Sequence, residues 1–253
     1  MILQSRLIHR PWTNPALWRL PGILPCDFAD WLEVDDAYGA QMAERARLMA
    51  TAPVHALLPE AMPAAQELYD TALTHAPAGF RFGATEALRP DGVTVALDRD
   101  QPLLTLGRLF QQDFCLMEKR GAEHVLTGAI LCFPASWTLA EKIGRPLLGI
   151  HIPVAAYDAG LATRVQRLFD GIRAEQPLYR MNALLYADPT LHQPKSEGEA
   201  RPRTGARRFM RSERQCLVRL PQTGAVVFSI HTTVVAAEIL APEDLAMLRA
   251  AGH

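Results

Sequence analysis

The sequence predicts an α+β fold, an antiparallel sheet with helices before and between its strands. Two observations carry that expectation. Up to about residue 111 the apolar residues recur at helical spacing, and from residue 113 they alternate. The alternating stretches are joined by short connections, Arg120-Gly-Ala-Glu123 and Pro221-Gln-Thr-Gly224, which turn neighbouring strands into hairpins.

In chain order, residues 11–35 hold Pro11, Trp12, Pro15, Trp18, Pro21, Pro25 and Trp31 and read as an extended segment wrapped over the domain, anchored by its indoles. Asp35 or Asp36 caps a helix to about Ala50, and Pro63 opens another to about His75. Residues 76–100 are turn-rich and give no assignment. A short helix covers Leu103–Gln111. Strands are expected at Asp113–Lys119 and His124–Phe133, at Leu178–Tyr186, and at Phe209–Leu220 and Ala225–Val234. An amphipathic helix capped by Asp158 lies between, with Leu161, Val165, Leu168 and Ile172 inward. Residues 187–208 read as a long mobile loop, and Pro242 starts a C-terminal helix with Glu243 and Asp244 in its first turn. The expected unit is one domain over 1–253, with 1–75 as an N-terminal extended and helical extension.

Composition narrows the function classes. With 49% apolar and 21% charged residues the chain is globular. A formal net charge of −1 gives no general attraction to nucleic acid or to an anionic membrane surface. No apolar run is long enough to span a bilayer, and Met1–Trp12 has no signal-like core, so a mature, cytoplasmic protein is expected. Cys26, Cys115, Cys132 and Cys216 form no Cys-x-x-Cys pair, and Gly-x-Gly-x-x-Gly does not occur. These argue against a zinc or iron–sulfur site and against a bound dinucleotide.

The stretch Phe133–Val154 carries the most chemistry. Thr138 and Glu141 have capping-box spacing for a short helix closed by Gly144 and stopped by Pro146. A strand is expected next, with Leu147, Gly149 and His151 on one face and Ile150 and Ile152 on the other. Gly149 then leaves room for a flat ligand facing the imidazole; the alternative is a packing glycine beside a hydrogen-bonded core histidine.

Several stretches in order resemble the alpha subunit of haem-dependent oxidative N-demethylase, a family of PAS-like haem proteins. They are Trp31-Leu-Glu-Val-Asp-Asp-Ala-Tyr38, Gln112-Asp-Phe-Cys-Leu-Met117, Phe133-Pro-Ala-Ser-Trp137, Glu141-Lys-Ile-Gly144, Ile150-His-Ile-Pro-Val154, Arg180-Met-Asn182 and Ser212-Glu-Arg-Gln-Cys-Leu-Val-Arg-Leu-Pro221. The resemblance implies a PAS-like sheet holding haem b. It also implies oxidation of a small methylated amine by O2 to amine plus formaldehyde, with electrons from a separate flavin reductase and a ferredoxin-like donor. The chain departs from the family pattern at Ala183, where a tryptophan is expected, and in Ser229–Thr233, where an arginine and an aromatic are expected but His231 and Thr233 occur. It departs again at Gln112, where an acid is expected.

Within the resemblance His151 is the candidate axial ligand, and His231 is its rival as a distal group, a second ligand or a satisfied sheet histidine. Gly149, Lys142, Arg180 and Arg214 are candidate cofactor contacts, the arginines because a guanidinium fork suits a propionate. The alternatives are an ion pair of Arg180 or Arg214 with Glu213 or Asp113, and an exposed Lys142. Gln215 and Asn182 are distal-pocket candidates able to hydrogen-bond a ligand. His9, His55, His75, His192 and His253 are expected to be solvated. From Lys195 to Arg214 seven basic residues face three acids. Arg201, Arg203, Arg207 and Arg208 among them are a candidate docking site for the electron donor, with a solvated loop as the alternative. Beside the oxygenase, a haem-binding sensor or carrier without that chemistry stays open, as does a haem-free ligand-binding domain.

Overall fold

The structure is a computed structural model that describes residues 1–18, 22–151, 159–199 and 205–250, with the side chains of 151 and 159–162 outside that description. The N-terminal segment carries a short helix α1 (Pro15–Trp18) and an edge strand β1 (Leu24–Pro25). The helices α2 (Tyr38–Thr51) and α3 (Met62–Thr74) follow, separated by β2 (His55–Leu57). The turn-rich stretch folds as a small sheet of β3 (Arg81–Phe82), β4 (Glu86–Leu88) and β5 (Thr94–Ala96). Next come α4 (Pro102–Leu109) and the hairpin β6 (Asp113–Arg120) and β7 (Glu123–Ile130). The helices α5 (Leu147–His151) and α6 (Ala159–Gly171) precede β8 (Leu178–Tyr186), β9 (Phe209–Arg219), β10 (Val226–Ala236) and the C-terminal α7 (Pro242–Ala250). Among the described residues no helix is long and apolar enough to cross a membrane.

Seven strands form one antiparallel sheet in the order β1-β8-β9-β10-β6-β7-β2. Because side chains alternate along each strand, the sheet has two chemically different faces. One is covered by α2, α3, α4 and the N-terminal segment, around Trp31, Leu68, Leu106, Phe114 and Val227. The other carries Leu126, Leu217, Val226 and Ile230 against Leu147 of α5 and Phe169 and Ile172 near the end of α6. Arg219 fastens that second layer by donating to the carbonyls of Phe169 (2.6 Å) and Ile172 (2.7 Å) at the α6 C-terminus. At the far end of the β9–β10 hairpin, Glu67 of α3 accepts the amides of Gln222 and Thr223 at 2.6 and 2.8 Å.

Two expectations around Phe133–Val154 are overturned. Thr138 does contact Glu141 (2.7 Å), but residues 139–144 make only a turn. Gly144 N leaves it to bond Leu126 O on β7 at 2.8 Å, because the chain here pairs with the sheet edge, as the Val125–Pro146 bridge shows. The strand expected from Leu147 is the helix α5, and residues 152–154 lie outside the described ones, as does Asp158. Proline suits a helix start, where its missing N–H costs nothing, and Ile150 N bonds Pro146 O at 2.9 Å. Leu147 and Ile150, three apart, pack on one cluster as a helical turn requires.

The two halves of the fold meet at a buried ion pair. Arg45 of α2, fully enclosed, donates to Asp113 at 2.6 Å and to the carbonyls of Gly107 and Gln111 at 3.1 Å each. Asp113 also accepts the amides of Cys132 (2.7 Å) and Phe133 (2.8 Å), where the chain leaves β7. Removing one partner of such a pair leaves an uncompensated charge. Arg45→Met is therefore expected to lower unfolding free energy by about 3–5 kcal/mol, read as a reduced urea midpoint at unchanged m-value.

A second buried network fixes the N-terminal segment. Asp35, expected as a helix cap, accepts Ala37 N at 2.9 Å and also Gln111 (2.8 Å), Gln4 (2.7 Å) and His231 (3.0 Å). Burial by itself would raise the Asp35 carboxyl, but the His231 contact, with Gln111 and Gln4, holds it below its ordinary value. A carboxyl depressed in the folded state adds stability above its unfolded pKa of about 3.9, and that stability is lost as pH falls through the folded value. Asp35→Asn should lower stability at neutral pH and flatten the acid decline below about pH 4. Denaturant midpoints across that range measure it.

Candidate functional site

The register of the central strands sorts the candidate residues. Arg180 pairs with Gln215, which pairs with Ile230; Asn182 pairs with Glu213, which pairs with Thr232. Ile230 packs in the cluster under α5 and α6, so these rows form a polar floor on the helix-covered face. Arg180, Asn182 and Gln215, expected in a pocket, are thus brought together. Glu213 organises them, accepting from Gln215 at 3.0 Å and Asn182 at 3.2 Å, with Arg211 at 3.4 Å.

The floor has unused hydrogen-bonding capacity. Arg180 Nε, Arg211 Nε and Thr232 Oγ1 are buried without a partner among the described residues. Burial lowers the pKa of the Arg180 guanidinium and Glu213 opposes the effect, so Arg180 remains a cation short of a close counter-charge. Orphaned buried donors of this kind call for a ligand or water. An apolar wall beside cationic and amide donors fits a flat, largely apolar group with an anionic edge. Haem has that form, and the residues present suit it.

The approach to this face is held by a clasp. Lys142, expected near a haem edge or exposed, is buried and donates to Ile150 O (2.7 Å) and Glu197 (2.5 Å), while Arg145 also reaches Glu197 (3.0 Å). Glu197 belongs to the loop expected to be mobile, whose described part is fastened further by Gln193 N to Pro134 O and by Arg211 to Leu191 O. Lys142 therefore fixes the carbonyl next to His151. His151 ends α5 instead of standing on a strand, so it and Gly149 do not share a strand face. A Cβ at Gly149 would meet Pro146 Cδ at 3.4 Å, an ordinary contact, so that glycine answers no close approach among the described residues.

The opposite face holds the other candidates. Arg214 pairs with Glu33 (3.2 Å), not with Glu213 or Asp113, and sits 5.0 Å from the Tyr179 ring centroid. His231 has both ring nitrogens engaged, by Asp35 and by Gln112 at 3.0 Å each. Gln112 and His231 are each other's partners through an amide–imidazole contact. Ala183 and Thr233 share this face by alternation. Several histidines expected to be solvated have partners: His9 with Glu33 (2.7 Å), His192 with Cys132 O (2.8 Å), and His75 stacked on Phe28.

Sequence reading missed Arg211 and Thr232 as floor residues. The signal was present as the period-two run Arg211-x-Glu213-x-Gln215, polar residues on one face of an interior strand. It also missed His124, fully buried against Phe169 with Nε2 lacking a partner among the described residues and Nδ1 on Gln166 at 2.7 Å; burial lowers its pKa.

The family model described as haem-dependent oxidative N-demethylase, alpha subunit-like, matches residues 22–251, nearly the whole chain. The match takes in every strand of the seven-stranded sheet and the whole polar floor, and on it the chain belongs to the haem-dependent oxidative N-demethylase alpha-subunit-like family.

Proposed function

We propose that this chain is the haem b-binding oxygenase component of a small-amine N-demethylase, a single cytoplasmic PAS-like unit with an N-terminal extension. The observation that carries the reading is the floor of Arg180, Asn182, Glu213, Gln215 and Thr232, with orphaned donors, on the helix-covered face of a chain of this family. The strand order supports the PAS-like part: α5 and α6 are inserted between β7 and β8, which flank β9, β10 and β6 in the run β8-β9-β10-β6-β7 of the seven-stranded sheet. The four departures from the family pattern lie on the other face or with the N-terminal layer, which favours a retained pocket over a sensor or carrier.

In this reading His151 would hold the haem iron, and Lys142 would support that end of α5 by holding Ile150 O. Arg180, whose Nε has no partner among the described residues, would hold an anionic edge of the haem by a charge-assisted contact. Asn182 and Gln215, oriented by Glu213, present amides to the ligand side, and the layer of Leu147, Phe169 and Ile172 keeps water out. Haem, when bound, supplies the oxygen activation. The overall reaction balances as a small secondary N-methylamine, O2, two electrons and two protons giving the demethylated amine, formaldehyde and water.

The electrons come, in this reading, from a flavin reductase and a ferredoxin-like donor. Of the basic run, Arg211 and Arg214 are buried and unavailable, whereas Arg207 and Arg208 are exposed immediately before β9; Arg201 and Arg203 lie outside the described residues. An exposed basic patch steers an acidic donor chiefly through the association rate.

Haem addition to the purified chain should produce a Soret band with histidine ligation. His151→Ala should remove that signature, and Arg180→Gln should weaken haem binding by about tenfold or more. The reduced protein with oxygen and dimethylamine should release formaldehyde. Tight haem binding without formaldehyde from any small N-methylamine would assign a sensor or carrier instead. Changing Arg201, Arg203, Arg207 and Arg208 to Gln should slow reduction by the native donor while leaving the spectrum intact. That deficit should fade as salt shortens the screening length to below about 8 Å.

A further inference from the structure

The N-terminal segment leaves a cleft of about 660 Å³ against the sheet face turned away from α5 and α6, a volume typical of small-molecule sites. It is built around Arg214. That side chain is 5% exposed, lies over the ring of Tyr179, and is held at Nε by Glu33 and at Nη1 by Trp31 O (3.2 Å) and Cys216 Sγ (3.1 Å). No hydrogen bond from Nη2 to an oxygen or nitrogen falls among the described residues, and the guanidinium's other contact is the Cys26 thiol, which lines the same cleft. The guanidinium is thus held in place with its Nη2 corner lacking an oxygen partner, and a carboxylate oxygen is a stronger acceptor there than a thiol.

The charge around it narrows the ligand. Burial would raise the Glu33 carboxyl, but His9 above all, then His231 and Arg214, hold it below its ordinary value, so it stays ionised beside Arg214. Asp27 and Asp30 stand exposed on the rim with no salt bridge or side-chain hydrogen bond among the described residues. A polyanion such as phosphate would be repelled by these three acids, and a simple cation leaves the Arg214 corner without an oxygen partner. A molecule with a carboxylate at one end and an ammonium at the other satisfies both.

We propose that this cleft binds a small basic amino acid, with its carboxylate on Arg214 Nη2 and its side-chain ammonium at Asp27 and Asp30. The site is separate from the haem-face floor, because Arg214 and Gln215 are neighbours in one strand and point to opposite faces. Occupancy would bridge β9 to the N-terminal segment, giving that segment a ligand-dependent anchor.

The test is calorimetric titration of the full chain with L-lysine, with acetate and putrescine as probes carrying only one of the two charges. L-Lysine is expected to bind saturably, one per chain, with Kd at or below about 1 mM, and each half-probe at least about tenfold more weakly. The exposed-rim variant Asp27→Asn with Asp30→Asn should weaken L-lysine about tenfold without disturbing the fold. Arg214→Lys, which keeps the charge and loses the fork, should abolish binding. Cys26 gives a second readout: it lines the cleft, and the Cys216 thiol, with Arg214, draws its pKa down. L-Lysine should therefore slow its alkylation by iodoacetamide. No saturable heat and no protection of Cys26 would overturn the proposal, as would unchanged affinity in the rim variant. Neither readout requires haem, so failure here and failure of the haem reading are told apart by the Soret band.

Discussion

The Arg45–Asp113 pair is the constraint on which the other contacts depend. It is enclosed, and although Arg45 Nη2 lacks a partner among the described residues, the buried charge is held by its counter-charge and by backbone carbonyls. Arg45 draws α2 onto the end of α4 and onto β6, and Asp113 draws the exit of β7 onto the same point. The chain is thereby turned at Phe133 toward the clasp and α5. Arg45 also lies 5.4 Å from the Phe133 ring centroid, so the same cation meets the turn by a second route. Asp113 also opens β6 opposite Ile230 of β10, the strand that carries His231 and Thr232 on its two faces.

Much of the fold was legible because the long strands write their two faces in alternation. The boundaries of β8, and of β9 and β10 to within a few residues, follow from Leu178–Tyr186 and the two stretches around Pro221–Gly224. The misreading at Leu147–His151 has a specific cause. Five residues are too few to separate period two from an i, i+3 pair, and the same apolar residues satisfy both. Pro146 was taken as a stop, whereas its position is equally a start.

The site was legible in composition but not in arrangement. Arg180, Asn182, Gln215, Arg214 and His231 stood out as polar residues in interior strands, and the first three do assemble. Which face covers which residue depends on how β8, β9 and β10 are aligned, and alignment is a property of three separate segments. The partners that separate Arg214 and His231 from the floor, Glu33, Asp35 and Gln112, come from a part of the chain whose own pattern says only that it wraps. The Gln112–His231 contact likewise joins two residues that the sequence presents separately.

The Glu67 contact to the β9–β10 turn carries a consequence for assembly of the sheet. A slip of one residue in that hairpin would send Arg211, Glu213 and Gln215 to the N-terminal side and bring Arg214 under α5 and α6, exchanging the two chemistries wholesale. The turn Pro221–Gly224 closes its own hydrogen bonds through Leu220 and Ala225, yet its outer amides are read by a carboxylate from α3, distant in sequence. Glu67 accepts the Gln222 amide on Oε1 and the Thr223 amide on Oε2, so both bonds are made only when the hairpin tip holds this alignment. A misaligned hairpin forfeits that anchorage, and the fold proofreads, at one end of the sheet, which side of the protein each functional residue will occupy.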